Sequence, residues 1–209
     1  MTFIDLSHEI HESMPVYPGM SQPIFEKSIQ VKTHGYAETL ISLLSHTGTH
    51  IDAPAHMHES GKTLGSYEIN SFIGKARMID VQGKTDIDLN TIQSVANQIL
   101  DIDFIIFWTG WSNFWDSETY FKGFPTLSPE AAKWIANTGI KGIGLDCISA
   151  DIAESTNFPV HQALFSNNKL IVENLMNLDK LPQEIFMFSC LPLKYKQADG
   201  SPVRAIAWY

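Results

Sequence analysis

His46-Thr47-Gly48-Thr49-His50-Ile51-Asp52-Ala53-Pro54-Ala55-His56-Met57-His58 holds four of the chain's eight histidines in one short run. Imidazole and carboxylate are ligands that Zn²⁺ and similar divalent ions accept, and their spacing translates into geometry. His46 and His50, at i and i+4, share a face if the run is helical. His50 and Asp52, at i and i+2, share a face if it is a strand. Gly48 lets the backbone bend between the two pairs, and Pro54 ends any strand ladder the segment makes. On this reading His46, His50 and Asp52 grip an ion at a strand end, with His56 one step further out. The residues between them are small or turn-forming and give the cluster no competing purpose. His58 lies beyond the tight part of the string and is expected at the surface.

Working outward, residues 36–44 read as a strand that delivers this string at its carboxyl end, where α/β sheets tend to place ligands. Further strand-like segments are 25–32, 74–81, 104–108, 140–145, 185–193 and 203–208. A helix over 89–100 follows Asp88, a good N-cap, with Ile92, Val95, Ala96 and Ile99 on its buried face. Ser128-Pro129-Glu130 opens a second helix with a cap, a proline at the first position and an acidic first turn; Gly139 closes it. Residues 160–165 read as a short helix carrying His161. Strands alternating irregularly with helices give an α/β class with a mixed sheet and flanking helices. No repeat, linker or low-complexity tract divides the chain, so residues 1–209 read as a single domain.

Several residues have two open readings. Trp108 is expected in the core, while Trp111 packs there or lines a pocket. Residues 58–70, with Gly61 and Gly65, form a lid or a plain surface loop. The end Val203-Arg204-Ala205-Ile206-Ala207-Trp208-Tyr209 buries in a subunit interface or completes the core. His8, His11 and His34 lack local partners and are expected at the surface, with His8 in reach of the site. Asp146 orients a ligand or merely ends a strand. Cys147 and Cys190 sit in apolar stretches as buried thiols, with no disulfide expected.

Fourteen Lys and Arg against 23 Asp and Glu leave a net charge of −9. That balance disfavours nucleic acid and anionic membrane as partners. The acidity is scattered, as on a solvated surface. No apolar run is long enough to span a bilayer, and the first residues lack a basic segment followed by an apolar one, so a cytoplasmic protein is expected.

Further runs accompany the histidine string: Ile4-Asp5-Leu6-Ser7-His8, Met14-Pro15-Val16-Tyr17-Pro18-Gly19, Thr109-Gly110-Trp111 and Gly144-Leu145-Asp146. Later come Phe158-Pro159-Val160-His161, Val172-Glu173-Asn174-Leu175 and Gly200-Ser201-Pro202-Val203-Arg204-Ala205. With the pattern H-x-G-T-H-x-D-x-P-x-H, the whole chain resembles the cyclase family of metal-dependent hydrolases. That family includes bacterial kynurenine formamidase (arylformamidase), isatin hydrolases and some lactone hydrolases.

The resemblance implies a swivelling β/β/α architecture and a two-metal centre. His46, His50 and Asp52 would bind one ion, Asp52 would bridge to a second held by His161, and Glu173 would contact both. Taken alone, His161 and Glu173 read only as a surface histidine and a helix-start glutamate. His56 takes the place of the family's proton-shuttling histidine. Tyr17 stands where kynurenine formamidases usually present a tryptophan to the aromatic substrate; tyrosine keeps a stacking face and adds a hydroxyl. The ions implied are two Zn²⁺ per subunit, with Mn²⁺ admitted by the oxygen ligands, in a homodimer or homotetramer.

The activity this implies is hydrolysis of an aryl formamide such as N-formylkynurenine by a metal-activated hydroxide, with His56 giving a proton to the departing amine. One alternative is a hydrolase of a cyclic amide or lactone such as isatin. Another is a non-catalytic protein stapled by a structural ion, although such sites are usually closed by four ligands, often thiolates, and both cysteines lie far from the string.

Overall fold

Period-two alternation decides which layer each strand side chain enters. The computed structural model describes residues 1–209, the side chain of Gln98 excepted. Its main sheet contains, among the described residues, nine strands: β1 (Phe3–Asp5), β2 (His50–Asp52), β3 (Ile73–Asp80), β4 (Phe104–Trp108), β5 (Gly142–Leu145), β6 (Leu170–Glu173), β7 (Phe186–Ser189), β8 (Gly200–Pro202) and β9 (Ile206–Trp208). Their order across the sheet is β1-β9-β7-β3-β4-β5-β6-β2-β8. The strands from β3 to β6 run parallel. All other neighbours pair antiparallel, so the sheet is mixed, as expected.

In β4, Ile105 and Phe107 face the helices, while Phe104 and Ile106 face the opposite core. The helices on that face are α1 (Leu89–Ser94), α2 (Pro129–Ala136) and α3 (Pro159–Phe165). They insert Ile92, Ala131, Ile135, Val160, Leu164 and Phe165 into the helix-side core. Both sequence-read caps form: the Asp88 carboxylate accepts the Thr91 N–H at 2.8 Å, and Ser128 Oγ accepts the Ala131 N–H at 3.2 Å.

On its other face the sheet curls over itself. Ser7, just past β1, bridges Leu175, just past β6, and the Met176 N–H donates to the Leu6 carbonyl at 3.0 Å. Strands remote in sheet order therefore enclose a second core around Ile51, Phe104, Val172 and Phe188. The outcome is a β/β/α layering in one domain. The C-terminal run completes this sheet through β9, with Ala205 and Ala207 fully buried.

Three expectations need correction. Residues 36–44 do not lead into the main sheet: Ile24–Ile29 and Glu38–Ser42 form a separate, exposed hairpin. The site is delivered by β2, whose single apolar residue is too little pattern to read as a strand. The helix expected over 89–100 leaves α geometry at Val95 (φ −111°, ψ 8°). Thr91, Ser94 and Asn97 are weak helix formers and do little to carry it further. Glu173 ends a strand, β6, rather than starting a helix; its short Leu-Ile-Val run gave no length to distinguish the two.

Gly142 shows how closely the central strands approach. A Cβ there would lie 2.4 Å from the Leu170 carbonyl oxygen on the neighbouring strand. Gly142→Ala is expected to lose about 1–3 kcal/mol. This would be read as a lower urea midpoint with an unchanged slope; an unchanged midpoint would refute the close approach.

Candidate metal centre

β2 turns Ile51 into the curled core and His50 and Asp52 to the helix side. Its neighbour β6 sets Glu173 opposite His50 and Ile171 opposite Asp52. Glu173 shares the face of Ile171, so the register places two carboxylates and an imidazole together. α3 then brings His161 across them.

His50 Nε2 lies 3.2 Å from Asp52 Oδ1 and 3.5 Å from Glu173 Oε2. His161 Nε2 lies 3.4 Å from Glu173 Oε1 and 3.8 Å from Asp52 Oδ2. Ligand atoms held at about 2.1 Å by one tetrahedral or octahedral ion stand about 3–3.5 Å apart. Each carboxylate thus turns one oxygen to His50 and the other to His161. All four residues are buried, none more than 4% exposed.

The imidazoles are prepared for this task through their other nitrogens. The Gly48 carbonyl can only accept, so His50 Nδ1, 2.8 Å away, carries the proton and leaves the Nε2 lone pair free. His161 Nδ1 is 2.7 Å from Asp151 Oδ2. His46, on the turn before β2, places Nε2 3.0 Å from Asp199 Oδ2 and Nδ1 2.6 Å from Asp52 Oδ1. Such outer partners fix ring orientation and tautomer in metal-binding histidines.

The electrostatics agree. Burial opposes protonation of His46, yet attraction to Asp52 and hydrogen bonds to Asp199 and Asp52 outweigh it and lift the ring to about 10. His50 and His161 are also raised, against their burial, by the surrounding carboxylates. Asp52 is held well below the usual carboxylate range, chiefly by His50 and His46, although burial alone would raise it. A buried cluster that draws in positive charge this strongly suits a divalent cation, which displaces the protons when it binds.

The centre lies in a cavity of about 440 Å³, whose apolar wall includes Val16, Tyr17, Met20, Leu44, Met57 and Phe158. His56 lines it and packs against His46 at a tilt of 34°, with ring centroids 3.8 Å apart. Burial pushes His56 down to about 4, so the ring stands neutral at the cavity near pH 7. The Tyr17 hydroxyl donates to the Ala153 carbonyl at 3.1 Å, which fixes the ring in the wall.

All seven candidate residues, His46, His50, Asp52, His56, His161, Glu173 and Tyr17, therefore meet at one cavity. His161 is buried, not at the surface, and His46 and His50 do not share a helix face, because a turn separates them. Asp151 and Asp199 were missed. Asp199 adjoins the Gly200-Ser201-Pro202 run and was within reach of the reading; Asp151 carries no local signal.

Other candidates fall outside the cavity. Trp111 packs against the helix-side core and donates its indole N–H to the Tyr120 carbonyl. Trp108 packs, partly buried, against the curled core. His58 contacts Gln162, at 2.7 Å, and none of residues 58–70 lines the cavity. Asp146 accepts from Thr109 N and Oγ1 at 2.9 and 2.6 Å, tying the loop after β4 to the end of β5. Cys147 and Cys190 are buried and free. No helix among the described residues is long and apolar enough to cross a membrane.

Residues 4–152 match the Cyclase family model. The chain belongs to the cyclase family. This cyclase-family chain is 32% identical over 206 residues to the kynurenine formamidase of Geobacillus thermodenitrificans (strain NG80-2), covering 97% of this chain and 95% of that one. A solved structure described as a potential metal-dependent hydrolase with cyclase activity superposes with a TM-score of 0.84 at 30% identity, covering 99% of this chain and 96% of that one. An isatin hydrolase bound to the product analogue thioisatinate superposes with a TM-score of 0.87 at 22% identity, covering 98% and 91%, which shows the shared fold.

His8 belongs to the opening run yet sits beside the site rather than in it. Its backbone N–H donates to Thr49 Oγ1 at 2.9 Å, and its ring stacks on Trp115 at 3.8 Å with Nε2 buried and unpartnered. Burial lowers its pKa from 6.5 to about 4. Between those values the unfolded chain binds the extra proton, so stability falls as pH drops through this window. His8→Gln is expected to remove about 2–3 kcal/mol of that acid sensitivity, seen by urea unfolding at stepped pH. Parallel stability–pH curves for variant and wild type would contradict it.

Proposed function

We propose that this chain hydrolyses the carbon–nitrogen bond of an aryl formamide of the N-formylkynurenine kind. His46, His50, Asp52, His161 and Glu173 would hold two divalent ions, with Zn²⁺ the first choice. One observation carries the reading. Asp52 and Glu173 each divide their oxygens between His50 and His161, beneath a cavity walled by Tyr17 and containing His56. Kynurenine formamidases about as long as this chain, at 32% and 31% identity, support the substrate class.

Bound ions would supply Lewis acidity toward a carbonyl oxygen and lower the pKa of a water. The chain's own groups do the rest. His56, neutral and at the cavity, takes up the proton released on attack and returns it to the departing arylamine, a poor leaving group that needs it. The Tyr17 face meets the aryl ring, and the apolar wall takes up the ring and displaces water from it. Asp199, on His46 Nε2, keeps that imidazole turned toward Asp52. Residence in the cytoplasm as a homodimer or homotetramer belongs to the same reading. Exposed Ile24, Leu40 and Ile41 on the hairpin support burial in a subunit contact.

Metal-replete protein should turn over N-formylkynurenine faster than isatin. Isatin turnover without formamide turnover would move the assignment to cyclic amides. Turnover of neither, with ion bound stoichiometrically, would favour a structural ion. His56→Ala should lower kcat by about 10²–10⁴-fold with metal content unchanged by elemental analysis; metal loss would make His56 a ligand instead.

A further inference from the structure

We infer that Asp151 is a positioning residue for the His161 half of the metal centre, an inference that rests on the metal-binding reading above. The Asp151 side chain is 2% exposed and faces three donors. Oδ1 accepts the Val160 N–H at 2.9 Å, and Oδ2 accepts the His161 N–H at 3.0 Å and the His161 Nδ1–H at 2.7 Å. One carboxylate therefore holds both the backbone at the start of α3 and the imidazole that α3 carries.

Local sequence leaves that task open. Phe158, at the position where a helix usually finds its cap, has a left-handed backbone (φ 43°) and an apolar side chain. The cap comes instead from Asp151, across the loop between β5 and α3. With Nδ1–H engaged by a carboxylate, the lone pair of His161 lies on Nε2, the atom that faces Asp52 and Glu173. His50 obtains the same result from its own Gly48 carbonyl. Loss of Asp151 should thus affect one side of the centre and spare the other.

The loop has separate anchors. The Ala150 N–H donates to Glu173 Oε1 at 2.8 Å, and the Ala153 carbonyl accepts from Tyr17. These contacts do not involve the Asp151 side chain, so they hold the loop when its carboxylate is changed. In Asp151→Asn, with the amide oxygen kept on the Val160 N–H, the NH₂ takes the place of Oδ2 and faces both the His161 N–H and Nδ1. Donor then meets donor, and the ring is pushed toward the tautomer with its proton on Nε2.

The test titrates Zn²⁺ alone, against a competing chelator, into metal-free wild-type protein and Asp151→Asn. Wild type should take up two equivalents. The variant should bind the first within about twofold of wild type and the second about 10–100-fold more weakly. A second readout is ¹⁵N–¹H NMR of the zinc-loaded wild type, where His161 should show a slowly exchanging proton on Nδ1. A folded variant that binds both equivalents as wild type does would overturn the inference. So would a wild-type His161 that coordinates through Nδ1, a result obtainable even if the variant fails to fold. A wild-type protein that takes no second equivalent overturns the two-ion reading itself, and this inference with it.

Discussion

Two carboxylates buried side by side are the constraint around which this molecule is arranged. Asp52 and Glu173 stand on adjacent strands with almost no solvent. Unpaired charges in such a place cost several kcal/mol each, even after relaxation. The fold answers with positive charge or its potential on every side: His46 from the turn before β2, His50 from β2 itself and His161 from α3. The raised pKa values of these rings express that demand in protons. A divalent cation would meet it more compactly, since it would neutralise the carboxylates and leave the imidazoles uncharged.

The register between β2 and β6 creates the constraint, and a one-residue slip would turn Glu173 away from the site. Small features pin that register. Gly48 bends with φ 65°, a conformation suited to glycine. Its carbonyl accepts from both His50 Nδ1 and Asn174 Nδ2. Asn174, just past β6, also takes the left-handed conformation, at φ 58°. The two strands are therefore laced together by side chains beside the carboxylates they present. Pro54 ends β2 immediately afterwards, which frees the chain to turn His56 back over His46.

Much of this was legible in the sequence, for identifiable reasons. Candidate ligands cluster in sequence when one short segment carries them, and His46, on the turn before β2, with His50 and Asp52 on β2, lie close enough to announce themselves. His161 and Glu173 had value only in that company, since isolated residues of those types usually sit at surfaces. β4 and the caps at Asp88 and Ser128 were readable because apolar runs and capping residues are local signals. β2 escaped because three residues with one apolar side chain carry no period. The exposed hairpin looked like part of the sheet, since pattern reports extended backbone and not the partner it pairs with. Asp151 was invisible for a deeper reason: its partners are a helix start and a ring nine and ten residues away, joined by a loop whose path no spacing rule encodes.

The division between strand and loop also explains how one fold serves relatives with different substrates. The candidate ligands His46, His50, Asp52, His161 and Glu173 sit on β2, β6, α3 and the tight turn before β2, where packing leaves little freedom. The cavity wall is different: Val16, Tyr17, Met20 and Leu44 flank the exposed hairpin, and Met57 and Phe158 lie on loops. Such positions accept substitution at little cost in stability. An isatin hydrolase can therefore share this backbone at 22% identity while kynurenine formamidases share more of its sequence, because a fold constrains its rigid centre far more than the surface a substrate meets. Tyr17 is the informative position in that wall. Its hydroxyl is tied to Ala153, in the loop that also bonds Glu173 through Ala150. The Tyr17 ring is thereby referenced to the carboxylate of the candidate centre, and a changed aromatic residue there would reshape the cavity wall while leaving the His50 and His161 side in place.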